Sequence, residues 1–198
     1  HHCAFFRHHE ARLGIASRAH YHALTVRHEL EQTREAALRD GLTGLYNRAY
    51  LNPVLEKLVA LSKRNGAPLC VAMIDLDHFK QVNDTHGHIV GDAVLTQLAR
   101  LIRSSVRASD IACRYGGEEF CLILPNTAIA EARAKADALL RAWRTASFVA
   151  KDVSIDSLTF SAGVAELQQA DESALALLRR ADELLYRAKN EGRNRVHG

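Results

Sequence analysis

Apolar positions along the 198-residue chain alternate between two spacings. In "AYLNPVLEKLVALSKRN" (49–65), "HIVGDAVLTQLARLIRSSVR" (88–107), "TAIAEARAKADALLRAWRTA" (127–146) and "ESALALLRRADELLYRAKNEG" (172–192) the pattern is that of amphipathic helices. Between them, "LCVAMIDL" (69–76) reads as a short buried strand. "DIACRY" (110–115) and "EFCLILP" (119–125) read as two strands joined by a tight Gly116-Gly117 turn, which would need positive φ. More strand lies near "VSIDSLTFSAGVAEL" (153–167), and a short tail, "RNRVH" (193–197), closes the chain. Strands alternating with helices, with one hairpin in the middle, predict an α/β sandwich whose helices cover a mixed sheet.

The start of the chain follows another rule. Residues 10–39 contain no proline and, after Gly14, no glycine, which predicts one long helix. Ala16, Ala19, Ala23, Val26, Leu30, Thr33 and Ala37 keep a/d spacing over about three heptads. Such a weakly apolar seam suits a helix that pairs with its twin, or one packed on its own domain. Gly41 and Gly44 in "DGLTGLYNR" break it. The chain therefore divides into 1–39, a helical linker or signalling stalk, and 40–198, the domain proper.

Composition narrows the class. Hydrophobic residues make up 47% and charged residues 25%, as in globular proteins. The longest apolar runs fall far short of the ~20 residues of a membrane helix and no leader is visible, so a cytoplasmic protein without a membrane segment is expected. A net charge of +3 gives little reason to expect a nucleic-acid partner. The four cysteines, at 3, 70, 113 and 121, form no CxxC and read as reduced core residues. Seven of the eleven histidines fall within the first 28 residues, where a surface cluster, a tag and a metal site all remain open.

Candidate chemistry begins where "CVAMIDL" runs into "DLDHFKQVNDTHGHIVGD". Asp75 and Asp77 are two apart and would project to one side of an extended strand end, an arrangement that suits Mg²⁺. Alone, the pair reads as a solvated end with Asp77 capping the next helix. A second acidic pair, Glu118 and Glu119, waits in the hairpin "RYGGEEF", whose glycines both turn the chain and clear space for a ligand.

"RYGGEEF" resembles the signature of the GGDEF domain of bacterial diguanylate cyclases, with Glu118 as a variant third residue. "DGLTGLYNR" resembles the family's opening motif, "DLDHFKQVNDTHGHIVGD" its metal and nucleotide segment, and "YRAKNEGRNRV" its closing segment. The matches keep family order over about residues 40–197. The resemblance implies a nucleotidyl-cyclase-like fold related to polymerase palm and ferredoxin-like sheets. It also implies a homodimeric enzyme that joins two GTP into cyclic di-GMP and releases two pyrophosphates, using Mg²⁺ or alternatively Mn²⁺.

By the same resemblance, Asp75 and Glu118 bind the metal by side chain and Leu76 by its carbonyl, and Glu119 assists the metal or deprotonates the ribose 3′-hydroxyl. Asn83 and Asp92 read guanine, with His88 nearby, and Gly116 and Gly117 admit the substrate. Lys80, Lys189 and Arg193 hold phosphates. Residue chemistry agrees: the Asp92 carboxylate can accept from guanine N1–H and the exocyclic amine, a donor pair adenine lacks. "RASD" stands five residues before Gly116, the spacing of the family's inhibitory product site, which implies that Arg107 and Asp110 bind cyclic di-GMP. The bland reading makes Arg107–Asp110 a helix exit, Asn83 and Asp84 turn formers, and Lys189 and Arg193 solvated charges. A receptor that binds the product without turnover, and a cyclase accepting another nucleotide, are the competing functions. An upstream sensor domain would use residues 10–39 as its output.

Overall fold

The computed structural model describes residues 22, 24, 26, 27, 32–146, 148–150, 153–155, 158–171 and 173–198. The chain divides into two units, 1–38 and 39–198. Of the first, residues 32–37 are helical; most of the expected seam lies outside the described residues.

The second unit is built on a sheet in the order β1-β3-β4-β2-β7-β8. Its strands are β1 (Tyr46–Asn47), β2 (Leu69–Leu76), β3 (Ile111–Arg114), β4 (Glu119–Pro125), β7 (Phe160–Glu166) and β8 (Val196–His197). The inner pairs are antiparallel, whereas β1 with β3 and β7 with β8 run parallel. A separate hairpin joins β5 (Phe148–Ala150) to β6 (Val153–Ile155). The helices are α1 (Arg48–Asn65), α2 (Phe79–His86), α3 (His88–Ser105), α4 (Ile129–Thr145) and α5 (Ala174–Asn190). Among the described residues, no helix is long and apolar enough to cross a membrane.

Strand β2 shows why the expected mixed sheet forms. Its side chains alternate between faces: Cys70, Ala72, Ile74 and Leu76 pack with α2, α3 and α4, whereas Leu69, Val71 and Met73 pack with α1 and α5. With neighbours on both edges and layers on both faces, β2 is apolar but for Asp75 near its end, and all eight of its residues are buried. Cys70, Cys113 and Cys121 are buried free thiols, and burial pushes Cys70 and Cys113 up to about 12.

Two local expectations are corrected. Asn83 and Asp84 lie within α2 rather than in a turn, and the bend falls at Gly87, whose φ of 82° favours glycine. The β3–β4 connection is not a two-residue positive-φ turn, because neither Gly116 nor Gly117 is left-handed. Residues 115–118 form a wider loop, in which the Tyr115 and Gly116 N–H groups both donate to Glu119 O, at 2.8 and 3.3 Å.

Candidate active site

The ends of β2, β4 and α5 converge on a charged cluster. Register places Asp75 opposite Glu119, not Glu118. Lys189, near the end of α5, pairs its Nζ with Asp75 Oδ2 at 2.8 Å. Burial pushes the Asp75 carboxyl above its ordinary range, the Lys189 ammonium opposes that rise, and neighbouring Asp77 adds to it. Burial likewise raises Glu119, and the charge of Asp75 raises it further. Two desolvated carboxylates thus share one nearby ammonium, and the surplus negative charge suits a hard divalent cation. The fit concerns charge and donor type; among the described residues no group of three or more His, Cys, Asp or Glu side chains is gathered for a metal. Glu118 lies just outside β4, partly exposed, and its carbonyl accepts from Leu76 N–H at 3.4 Å.

Asp77 corrects the expectation of a helix cap. Its side chain does not cap α2, but accepts from Thr159 Oγ1 and Ser161 Oγ, both at 2.7 Å, and from Asn194 N–H at 3.0 Å. Ser161 is the cross-strand neighbour of Asp75, so Asp77 stays on the Asp75 side of the sheet while its oxygens are taken up by these donors.

The hairpin tip is held from outside. Arg114 donates to Gly117 O at 2.7 and 3.0 Å, and its other nitrogen bonds both Asp40 oxygens at 3.2 Å. Asp40 also accepts from Thr43 N and Oγ1 at 2.8 and 2.7 Å. The opening motif therefore braces the signature loop. At Gly116 a Cβ would lie 2.4 Å from Glu119 Oε2, so a side chain there would displace that carboxylate. At Gly117 a Cβ would meet nothing within 4 Å, which leaves room for a ligand.

On the other side of the sheet, α2 and α3 meet across Gly87. Asn83 is partly buried, and its Oδ1 lies 1.9 Å from where a Cβ on Gly91 would stand. Only a missing side chain at 91 lets Asn83 approach the residue next to Asp92. Asp92, His88 and Lys80 are exposed. Arg193 is exposed in the turn after α5, and its charge acts on Asp75.

Arg107 and Asp110 close the turn after α3: Arg107 N–H donates to Asp110 Oδ2 at 2.9 Å, and Lys135 of α4 pairs with the same oxygen. The other oxygen, Oδ1, is buried without a hydrogen-bond partner. The Asp40–Arg114 brace, the Asp77 cluster, the Gly91 contact and the Lys135 pair had no signal in sequence spacing; all but the Gly91–Asn83 contact join distant positions. The double appearance of Asp in "DLD" was the nearest clue.

Comparison with known proteins identifies the family. A family model described as "Diguanylate cyclase, GGDEF domain" matches residues 37–195. The response regulator PleD of Caulobacter vibrioides is 42% identical over 174 residues, 87% of this chain and 38% of PleD. Diguanylate cyclase DgcP of Pseudomonas aeruginosa is 42% identical over 167 residues, 84% of this chain and 25% of DgcP. The chain thus spans well under half of these two relatives. The crystal structure of the coiled coil and GGDEF domain of DgcB from Caulobacter crescentus, in complex with c-di-GMP, aligns over 95% of this chain and 97% of that one. Its identity is 34% and its TM-score 0.87.

Proposed function

The chain belongs to the GGDEF-domain diguanylate cyclase family, and on that premise we propose that it condenses two GTP into cyclic di-GMP with release of two pyrophosphates. The observation that carries the reading is the opposition of Asp75 and Glu119 at the end of a two-faced buried sheet, with Lys189 paired to Asp75. Asp75, Glu118 and the Leu76 carbonyl would hold Mg²⁺, or Mn²⁺ in its place. When bound, the ion offsets triphosphate charge and that of the attacking oxygen. Glu119 supplies a further acceptor, for the ion or for the ribose 3′ proton. Asp92 and Asn83 select guanine, with His88 beside them, and open space at Gly117 admits the nucleotide. Lys80, Lys189 and Arg193 take the phosphates.

The product is two-fold symmetric and each domain offers one signature, so two domains face each other with each 3′-oxygen in line with the partner's α-phosphate. Residues 1–39 act as the stalk that joins two 40–198 domains to an upstream sensor, and GTP as substrate places the domain in the cytoplasm. Arg107, exposed just after α3, and Asp110 bind the product as a brake. Incubation with GTP, ATP and Mg²⁺, followed by chromatography, tests the assignment: cyclic di-GMP is the expected product. Glu118→Ala should lower turnover about a hundredfold or more with an unchanged melting curve. Near-normal product formation by that variant rejects the metal assignment.

A further inference from the structure

Asp77 takes no part in the chemistry above, yet it is only 4% exposed and holds three donors. Two are hydroxyls around the start of β7, and the third is the backbone N–H of Asn194 in the turn after α5. That turn is unusual. Gly192, Arg193 and Asn194 are successively left-handed, with φ of 109°, 61° and 52°. Glycine adopts the region freely, but a Cβ makes it costly, and runs of such residues persist only where the surroundings over-determine them.

Three backbone restraints do so here. Arg193 N–H donates to Ala188 O at 2.9 Å, tying the turn to the end of α5. Ala162 N–H donates to Arg195 O at 2.9 Å, tying its exit to β7. Between them, Asn194 N–H reaches Asp77 at 3.0 Å; Arg195 Nε also donates to Arg193 O at 3.1 Å from within the segment, so the side chain that anchors the turn to the sheet comes from the end of β2. A carboxylate suits the place because all three partners are donors and an ionised Asp is acceptor-only.

We propose that Asp77 is a positioning residue that locks the left-handed turn and so presents Arg193 to the triphosphate alongside Lys189. This rests on Arg193 binding phosphate as proposed above. It also divides the work of the two aspartates: Asp75 faces the ligand, and Asp77 fixes the loop that grips it.

The test is a double-mutant cycle read by calorimetric binding of the α,β-methylene analogue of GTP with Mg²⁺, using the whole chain. Arg193→Ala should weaken binding about tenfold or more, as loss of a charge-assisted contact does. Asp77→Ala should weaken it similarly, and the double variant should be no more than about twofold weaker than Arg193→Ala alone. Thr159→Val removes one hydroxyl donor but leaves the Asn194 bond; it should lower the melting temperature and keep near-normal affinity. Losses that multiply in the double variant overturn the positioning role alone. Wild-type affinity in Arg193→Ala overturns the phosphate role of Arg193 and the positioning role with it. Should Asp77→Ala fail to fold, hydrogen exchange on the wild-type chain decides: the Asn194 amide should be protected, and free exchange there overturns the clamp.

Discussion

Asp75 illustrates how a site residue works against the fold that carries it. Its carboxyl is pushed up by burial despite the Lys189 partner 2.8 Å away, so ionising it costs the folded chain more than the ion pair returns. The sign follows from linkage. With a raised folded value, the native state binds more protons than the unfolded state as pH climbs past about 4, and stability falls until both are ionised. Asp75→Asn should therefore raise the melting temperature at pH 7 in metal-free buffer, with the gain shrinking below about pH 4, where both states are protonated. It should also abolish turnover. A lower melting temperature at pH 7 would show that the Lys189 pair outweighs the desolvation. Little of this balance was legible in the sequence. The acidic residues were visible, but their partners were not: Lys189 lies 114 positions from Asp75, and Asp77 meets Thr159, Ser161 and Asn194 only after folding. The role of Gly116 was misread for a related reason, since a glycine looks the same whether it serves a φ angle or a neighbouring carboxylate.

At the scale of elements, periodicity carried far more. The nearly unbroken apolar run of β2 and the apolar stripes of α1, α3, α4 and α5 are local properties, and they reappear as two cores on opposite faces of one sheet. The short α2 escaped because "FKQVNDTH" has too few turns to show a stripe. The spacing between layers was equally hidden. A Cβ on Gly163 of β7 would lie 2.1 Å from Ala181 O and 2.2 Å from Leu185 N, so α5 rests directly on that strand. Since backbone cannot yield as a flexible side chain does, Gly163→Ala should destabilise by about 1–3 kcal/mol or more. Because Lys189 lies near the end of α5, the same change should displace the ammonium from Asp75 and lower kcat beyond the loss expected from the unfolded fraction. Calorimetry and steady-state rates on one preparation separate the two effects; an unchanged melting temperature would mean that the helix lifts without cost.

For the whole molecule, the decisive quantity is how often two domains meet. One domain supplies one proposed guanine site and one signature, while the proposed product contains two linked guanosines, so on that reading a lone copy would hold half of a reaction. Were the domains tethered weakly, the productive fraction would rise with protein concentration until the dimer saturates, and the rate per molecule would rise with it. A stalk through residues 10–39 would raise the local concentration of the second domain without adding contacts to the site. Two forms of the protein test this: the 198-residue chain and residues 40–198 alone. Specific activity of the shorter form should climb with concentration over the range in which sedimentation shows monomer turning to dimer, and the longer form should reach its plateau at lower concentration. Full activity in a sample that sedimentation shows to be monomeric would refute the two-domain mechanism, whereas coincident curves for the two forms would remove the tethering role from the stalk alone.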